Sequence, residues 1–259
     1  MNKNIIFCGD SFAASYKEVG VCFYYPGCQN NPLNNNQDRG RGPIKWSIAH
    51  PSQVASHYGY NLYNFAYGGK SWWYSRCVMF NYLRDFPELL ENTQAMVFFH
   101  TDSHRLNISS KFESDNNTWK TVQKLWKMDL IDEDFQPWAQ MQWFKEIDQH
   151  FGSVPSIHFH CFPETVQYDS FLPGMRFTTP LIHLSVGELT GSDSEISTQL
   201  SDNETRVNHL NAHNNQALAD VIINALDNYQ PGSYPIDTSK FDLINPNASK
   251  WPTLGYGTK

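Results

Sequence analysis

Residues 4–11 read Asn4-Ile5-Ile6-Phe7-Cys8-Gly9-Asp10-Ser11. A short apolar run without alternation is the pattern of a strand covered on both faces. Glycine and two small polar residues then end it abruptly. Two similar runs follow. Asn61-Leu62-Tyr63-Asn64-Phe65-Ala66 closes at Gly68-Gly69, and Ala95-Met96-Val97-Phe98-Phe99 runs into His100-Thr101-Asp102. Between them the spacing predicts a helix over Ser47 to Tyr58, with Ile48, Val54 and Ala55 on one face and Gly59 as its terminating residue. A second helix is predicted over Ser75 to Leu90, with Val78, Leu83, Phe86 and Leu90 roughly aligned. Strand, helix, strand, helix, strand implies a parallel sheet with helices on both sides. The expected fold is a three-layer α/β/α sandwich around a parallel, flavodoxin-like sheet of about five strands. Ligands in such sheets sit beyond the carboxyl ends of the strands. The tips Gly9-Asp10-Ser11, Gly68-Gly69 and Thr101-Asp102 are therefore expected to converge on one edge.

The rest of the chain is read in the same way. Residues 22–45, rich in Asn, Gly and Pro, and the polar residues 106–118 read as loops. Thr118 to Phe151 is a long helical stretch interrupted at Pro137. A fourth strand is expected at Ser156 to Phe162 and a fifth at Leu181 to Ser185. Asn211 to Asn228 reads as a helix with Leu218, Ile222, Ala225 and Leu226 on its apolar face. From Pro231 onward periodicity is lost. The expected organisation is one domain over 1–230 and an extended C-terminal tail over 231–259 that wraps the domain or meets a neighbour.

Composition narrows the function classes. The 259 residues carry 19 basic and 26 acidic side chains, a net charge of −7. That balance speaks against non-specific nucleic-acid binding, which needs a basic footprint. A charged fraction of 17% with 15% aromatics excludes a wholly disordered chain. No apolar run is long enough to span a membrane, and the stretch at Ile5-Ile6-Phe7 is too short for a signal peptide. The expected location is cytoplasmic. The five cysteines are odd in number and lack a CxxC pair, which fits free thiols in a reducing compartment; Cys22 and Cys28 are the pair that secretion would join.

A serine directly after a buried strand is well placed as a nucleophile. It needs a histidine to take its proton and donors where the carbonyl oxygen becomes an oxyanion. Gly69 and Ser11 can both offer backbone N–H groups. Taken alone, Asp10-Ser11 reads equally well as a helix cap.

Four blocks in order settle the choice. Phe7-Cys8-Gly9-Asp10-Ser11, Asn64-Phe65-Ala66-Tyr67-Gly68-Gly69-Lys70-Ser71, Val97-Phe98-Phe99-His100-Thr101-Asp102 and Asn208-His209-Leu210-Asn211-Ala212 together resemble the SGNH (GDSL-type) hydrolases, and most closely the branch found in tailed-phage genomes. The resemblance covers roughly residues 4–110 and 204–226. It implies a serine esterase with Ser11 as nucleophile, His209 as base and Gly69 at the oxyanion glycine, without a metal or cofactor. Two departures stand out. The third block usually supplies an Asn as oxyanion donor; here the aligned residue is Asp102, or Thr101 with a one-residue shift. The acid usually lies three residues before the histidine, where this chain has Arg206. Glu204 is the first substitute and Asp202 the next, and a Ser-His dyad is the remaining active arrangement.

The substrate class implied is a small ester or an O-acetylated glycan, with Lys70, Trp72 and Trp73 beside Gly69 as substrate-binding candidates and the two indoles as a sugar platform. Other histidines offer weaker readings. His209 and His213 have zinc-ligand spacing but no HExxH. His100, His104, His158 and His160 read as hydrogen-bonded imidazoles more readily than as a metal site. The rival class is a catalytically degenerate SGNH-fold protein, a binding or virion component, with virion or homo-oligomer contacts through the tail.

Overall fold

The computed structural model describes residues 3–10, 12–13, 15–16, 44–45, 49–66, 71–101, 135–184, 210 and 212–242. Along the chain run β1 (Asn4–Cys8), α1 (His50–Tyr58), β2 (Asn61–Asn64), α2 (Trp72–Asp85), α3 (Glu88–Glu91), β3 (Thr93–His100), α4 (Phe135–Phe151), β4 (Ser156–His160), β5 (Met175–Phe177), α5 (Ala212–Asp227) and β6 (Gly232–Tyr234). Among the described residues these six strands form one sheet in the order β2-β1-β3-β4-β5-β6, every neighbouring pair parallel. The first five follow the doubly wound 2-1-3-4-5 order, and β6 extends the far edge.

The pleat explains why β1 reads as unbroken apolar sequence. Successive side chains point to opposite faces. Ile5 and Phe7 enter one core with Val54, Ala55, Leu218 and Ile222 of α1 and α5. Ile6 and Cys8 enter the other with Met79, Trp143, Phe144 and Ile147 of α2 and α4. Ile5, Ile6 and Phe7 are all fully buried. Each contributes roughly 1.5–3 kcal/mol of transfer free energy, so a polar residue anywhere in this run would be costly. Helix α1 begins with Pro51 in its first turn, where the missing N–H costs nothing. It ends at Gly59, whose φ of 66° lets its N–H reach back to the carbonyls of Ala55 and Ser56.

Several elements depart from the sequence reading. Leu181–Leu184 is a 3-10 helix and not a strand. It follows Pro180, whose carbonyl accepts from His183 N–H. The three-residue repeat places Leu181 and Leu184 on one side, and both are fully buried. The fifth strand is instead Met175–Phe177, three residues long, with Met175 and Phe177 buried and Arg176 half-buried. The segment beyond Pro231 supplies β6 and buries Ile236 and Phe241 in the α1/α5 core. The helix expected to Leu90 ends at Asp85, and α3 restarts after Pro87. Pro137 lies in the first turn of α4 as described, and the part of the expected helical stretch before Phe135 lies outside the described residues. A two-residue parallel ladder joins Ser15–Tyr16 to Ile44–Lys45.

A parallel sheet sends all its strand ends to one edge. Gly9-Asp10, Phe65-Ala66, Thr101 and Cys161 therefore lie there. The starts of α2 and α4, which run back against the strands they precede, face the same side.

Candidate active site

The tip of β1 is shaped by two residues. A Cβ at Gly9 would fall 2.5 Å from Phe99 Cβ and 2.8 Å from Phe99 O. Only glycine lets the strand leave the sheet this close to β3. Asp10 is fully buried. Its Oδ1 accepts from Phe12 N–H at 3.0 Å and from the Cys161 thiol at 3.5 Å. This is an Asx turn, in which a side chain replaces the next strand bond. Ser75 Oγ on α2 donates to Gly9 O at 2.9 Å. Asn64, at the end of β2, donates to Ala13 O and accepts from Ala66 N–H, each at 2.9 Å. The turn after β1 is thus held from α2, from β2 and from its own aspartate.

Thr101 directly follows β3 at this edge of the sheet and is only 2% exposed. Its carbonyl accepts from Gln140 Nε2 of α4 at 2.8 Å. Its hydroxyl has no hydrogen-bond partner among the described residues, and neither do Trp72 Nε1 and Gln140 Oε1, all buried. Buried polar groups are normally paired, so three orphans at one strand edge mark a place where the fold leaves donors and acceptors unused. A cavity of about 10 Å³, room for about one water, lies between Gly9, Trp72, Ser75, Phe98, His100 and Trp143.

The tryptophan pair divides. Trp72 is 5% exposed and packs in the α2/α4 core, so its indole is not the open platform expected for it. Trp73 is 38% exposed; its ring stands edge-on to Trp72 at 5.6 Å, and the Arg76 guanidinium lies over it at 4.8 Å. Arg76 is itself fixed by Glu146. Two further half-exposed aromatics, Phe135 and Trp138, sit at the start of α4 with ring centroids 5.9 Å apart. The sequence reading missed this pair, because Trp138 was taken as part of a longer helix.

Three buried histidines occupy the α2/α4 side of β3 and β4. His100 Nε2 and His158 Nδ1 share a hydrogen bond at 3.0 Å, and His158 Nε2 meets Ser156 Oγ at 3.0 Å. Burial pushes the His158 pKa down to about 3, with the neighbouring His160 adding to it. Burial, with His158 and His160 close by, holds His100 well below its ordinary range. His160 bonds Thr165 Oγ1 at 2.9 Å and Asp169 at 3.1 Å. Asp169 also accepts from Arg176 and from Ser233 on β6. Burial opposes ionisation of Asp169, but the hydrogen bonds from His160 and Ser233 and the charges of His160 and Arg176 outweigh it and hold its carboxyl low. Among the described residues no group of three or more His, Cys, Asp or Glu side chains is arranged to hold a metal ion.

Leu210 is buried where the chain enters α5. Two asparagines in the first turn of that helix are almost completely buried. Asn214 donates to Leu184 O and pairs with both backbone groups of Asp242. Asn215 donates to Leu210 O at 3.0 Å and accepts from His50 N and Nδ1 at 3.2 and 2.9 Å. An acceptor facing Nδ1 places the His50 proton on that nitrogen. Nε2 is buried without a partner among the described residues, and burial lowers the His50 pKa to about 4. His213 is exposed and bonds Lys240 O. No part of the sequence reading singled out His50 or Asn215; the signal was two adjacent polar residues on the apolar face of a predicted helix.

Of the expected site residues, the structure describes Thr101, Trp72 and Trp73. Ser11, Gly69, Lys70, Asp102, Glu204 and His209 lie outside the described residues, as do Asp202, Arg105 and Arg206.

Fold and site together define a doubly wound α/β protein with its candidate site at the carboxyl edge of a parallel sheet. No protein-family model matches the sequence, and no curated protein sequence matches it. A solved carbohydrate esterase, described as having an active site with divergent catalytic and non-catalytic binding functions, is similar at 14% identity and a TM-score of 0.38. The similarity covers 87% of this chain and 65% of that one.

Proposed function

We propose that this chain is a serine esterase of SGNH type that hydrolyses a carboxylic ester, with O-acetyl groups on a carbohydrate as its substrate class. The observation that carries the reading is the unused hydroxyl of Thr101, buried directly after β3 at the edge of the sheet where Gly9 and Asp10 shape a turn. The sheet register pairs Cys8 with Phe98, and the Gly9-Asp10 turn leaves β1 against Phe99, two residues before Thr101. A donor with no structural task next to a nucleophile is what an oxyanion needs.

In the proposed reaction Ser11 Oγ attacks the ester carbonyl carbon while His209 takes the hydroxyl proton. Negative charge gathers on the carbonyl oxygen, which accepts from the backbone N–H groups of Ser11 and Gly69 and from the Thr101 hydroxyl. The C–O bond to the alcohol then breaks, and His209 returns the proton to the leaving alkoxide. Water, deprotonated by His209, attacks the acyl-enzyme and releases the carboxylic acid. Glu204 orients the imidazole, with Asp202 as its substitute. An ionised Asp102 offers no donor and is assigned to Arg105 instead. Trp73, with Phe135 and Trp138 along the same edge, supports a sugar substrate, since half-exposed aromatic faces stack on pyranose rings. Lys70 is assigned to substrate binding.

The test is labelling with a serine-reactive fluorophosphonate, read by mass spectrometry. The expected result is stoichiometric modification at Ser11. A properly folded protein that takes no label is instead a non-catalytic binding or virion protein on the same fold.

A further inference from the structure

We propose that Arg76 is a positioning residue for sugar recognition: clamped by Glu146, it holds the Trp73 indole as a preset platform for the substrate's pyranose ring. The inference rests on the esterase reading and adds to it what makes one exposed side chain selective for a sugar ester.

The first turn of α2 lies at the carboxyl edge of the sheet. Trp72 anchors it there, with a buried indole that lines the cavity beside Gly9. Trp73, the next residue, turns outward and is 38% exposed. Left alone, an exposed side chain of this kind changes rotamer within nanoseconds. Here the Arg76 guanidinium lies over the indole, 4.8 Å from its ring. Three residues apart on a helix, the two are neighbours on one face. Phe80 lies 4.9 Å from the same guanidinium and packs in turn on Trp143 and Phe151 of α4. Glu146, also on α4, accepts from Arg76 Nε and Nη2 through its two carboxylate oxygens. A bidentate pair fixes the plane of the guanidinium as well as its position. The indole beneath that plane is fixed with it.

Stability gives little reason for this arrangement. Helices α2 and α4 are already joined through buried Trp72, Met79, Trp143, Phe144 and Ile147. An ion pair whose side chains are 24% and 30% exposed adds little to such a contact. What the pair does, and the apolar contacts do not, is hold Trp73 still. A side chain that must be ordered when the ligand arrives weakens binding, and one ordered beforehand does not. The apolar face of a pyranose can lie flat on a fixed indole. An acetyl ester without a ring has nothing to lay there, so Arg76 acts on the choice of substrate and not on the ester chemistry.

The experiment measures kcat and KM for glucose pentaacetate and for ethyl acetate by titrating the released acid. The proteins are wild type, Trp73→Ala, Arg76→Ala, the double variant and Arg84→Ala, which removes the ion pair with Asp85 at the other end of α2. The readout is the ratio of kcat/KM for the sugar ester to that for ethyl acetate. Trp73→Ala should lower the ratio ~10–100-fold through loss of the stacking surface. Arg76→Ala should lower it ~3–10-fold, the scale of ordering one side chain on binding, with the loss in KM. In the double variant the Arg76 change should add less than about twofold, because its effect runs through Trp73. Arg84→Ala should leave the ratio within about twofold of wild type. Should Arg76→Ala not fold, Arg76→Lys takes its place; an ammonium keeps the charge beside Glu146 but has no planar face to lie on the indole. A ratio unmoved in Arg76→Ala, or an Arg76 effect as large without Trp73 as with it, overturns the positioning role and leaves the esterase standing. Wild type that turns over neither ester overturns both.

Discussion

His50 allows a quantitative test of the buried site wall. Its pKa, near 6.5 in the unfolded chain, falls to about 4 through burial. A histidine lowered in this way binds its proton more readily when unfolded. Stability is therefore complete above the unfolded value and is lost as pH falls from about 6.5 towards 4. At pH 5 linkage gives a loss of roughly 2 kcal/mol from His50 alone, taking 1.36 kcal/mol per unit and saturation near the folded value. His158 and His100, also lowered, act in the same direction. Against a typical total of about 5–15 kcal/mol, the protein should be acid-labile. The perturbation is His50→Phe. Phenylalanine keeps a ring between Phe7 and Phe99 and removes the orphan Nε2, and Asn215 Oδ1 keeps its bond from the residue-50 N–H. The cost at pH 7.5 should be about 1 kcal/mol for the lost Nδ1 hydrogen bond. Urea unfolding at pH 7.5 and 5.0 gives the acid loss for each protein. The variant's loss should be smaller than wild type's by roughly 2 kcal/mol. Equal losses, within about 0.5 kcal/mol, would refute the claim that His50 is held neutral by burial.

Three further outcomes are expected. Ser11→Ala should abolish hydrolysis of a small acetyl ester with little change in Tm, and His209→Ala should cost a comparable ~10⁴–10⁶ in rate; Glu204→Gln should cost less, and near-wild-type activity in Ser11→Ala removes it as nucleophile. Thr101→Val should lower kcat by ~10²–10³, the size of one lost oxyanion donor, while Asp102→Asn leaves kcat nearly unchanged; the opposite pattern would assign the donor role to position 102. Gly9→Ala should destabilise by about 1–3 kcal/mol or more, because its Cβ has only Phe99 backbone and Cβ to displace; a variant as stable as wild type in urea would show that the β1 tip lies farther from β3.

The doubly wound sheet was legible from residues 4–8, 61–66 and 95–99 because burial on both faces leaves a continuous apolar run that few other elements show. Gly59 as helix terminator was legible for an equally local reason, its left-handed φ. Elements set by long-range contacts were not. Met175–Phe177 is a strand because Ile157 and Phe159 offer it an edge, and Gly232–Tyr234 because Met175–Phe177 then offers another. Leu181–Leu184 carries the same apolar residues a strand would, yet Pro180 and a three-residue repeat turn it into a 3-10 helix. At the site, the resemblance of four sequence blocks to the SGNH hydrolases nominated Ser11, Gly69, Asp102 or Thr101, and His209. It gave no sign that Trp72 is core while Trp73 faces outward, since neighbouring residues on a helix differ by 100° and only packing decides which one turns inward. Nor did it pair His50 with Asn215, 165 residues apart. That bond exists because α1 and α5 lie on the same face of the sheet, and the cost of burying an amide and an imidazole is recovered only when the fold brings the two together.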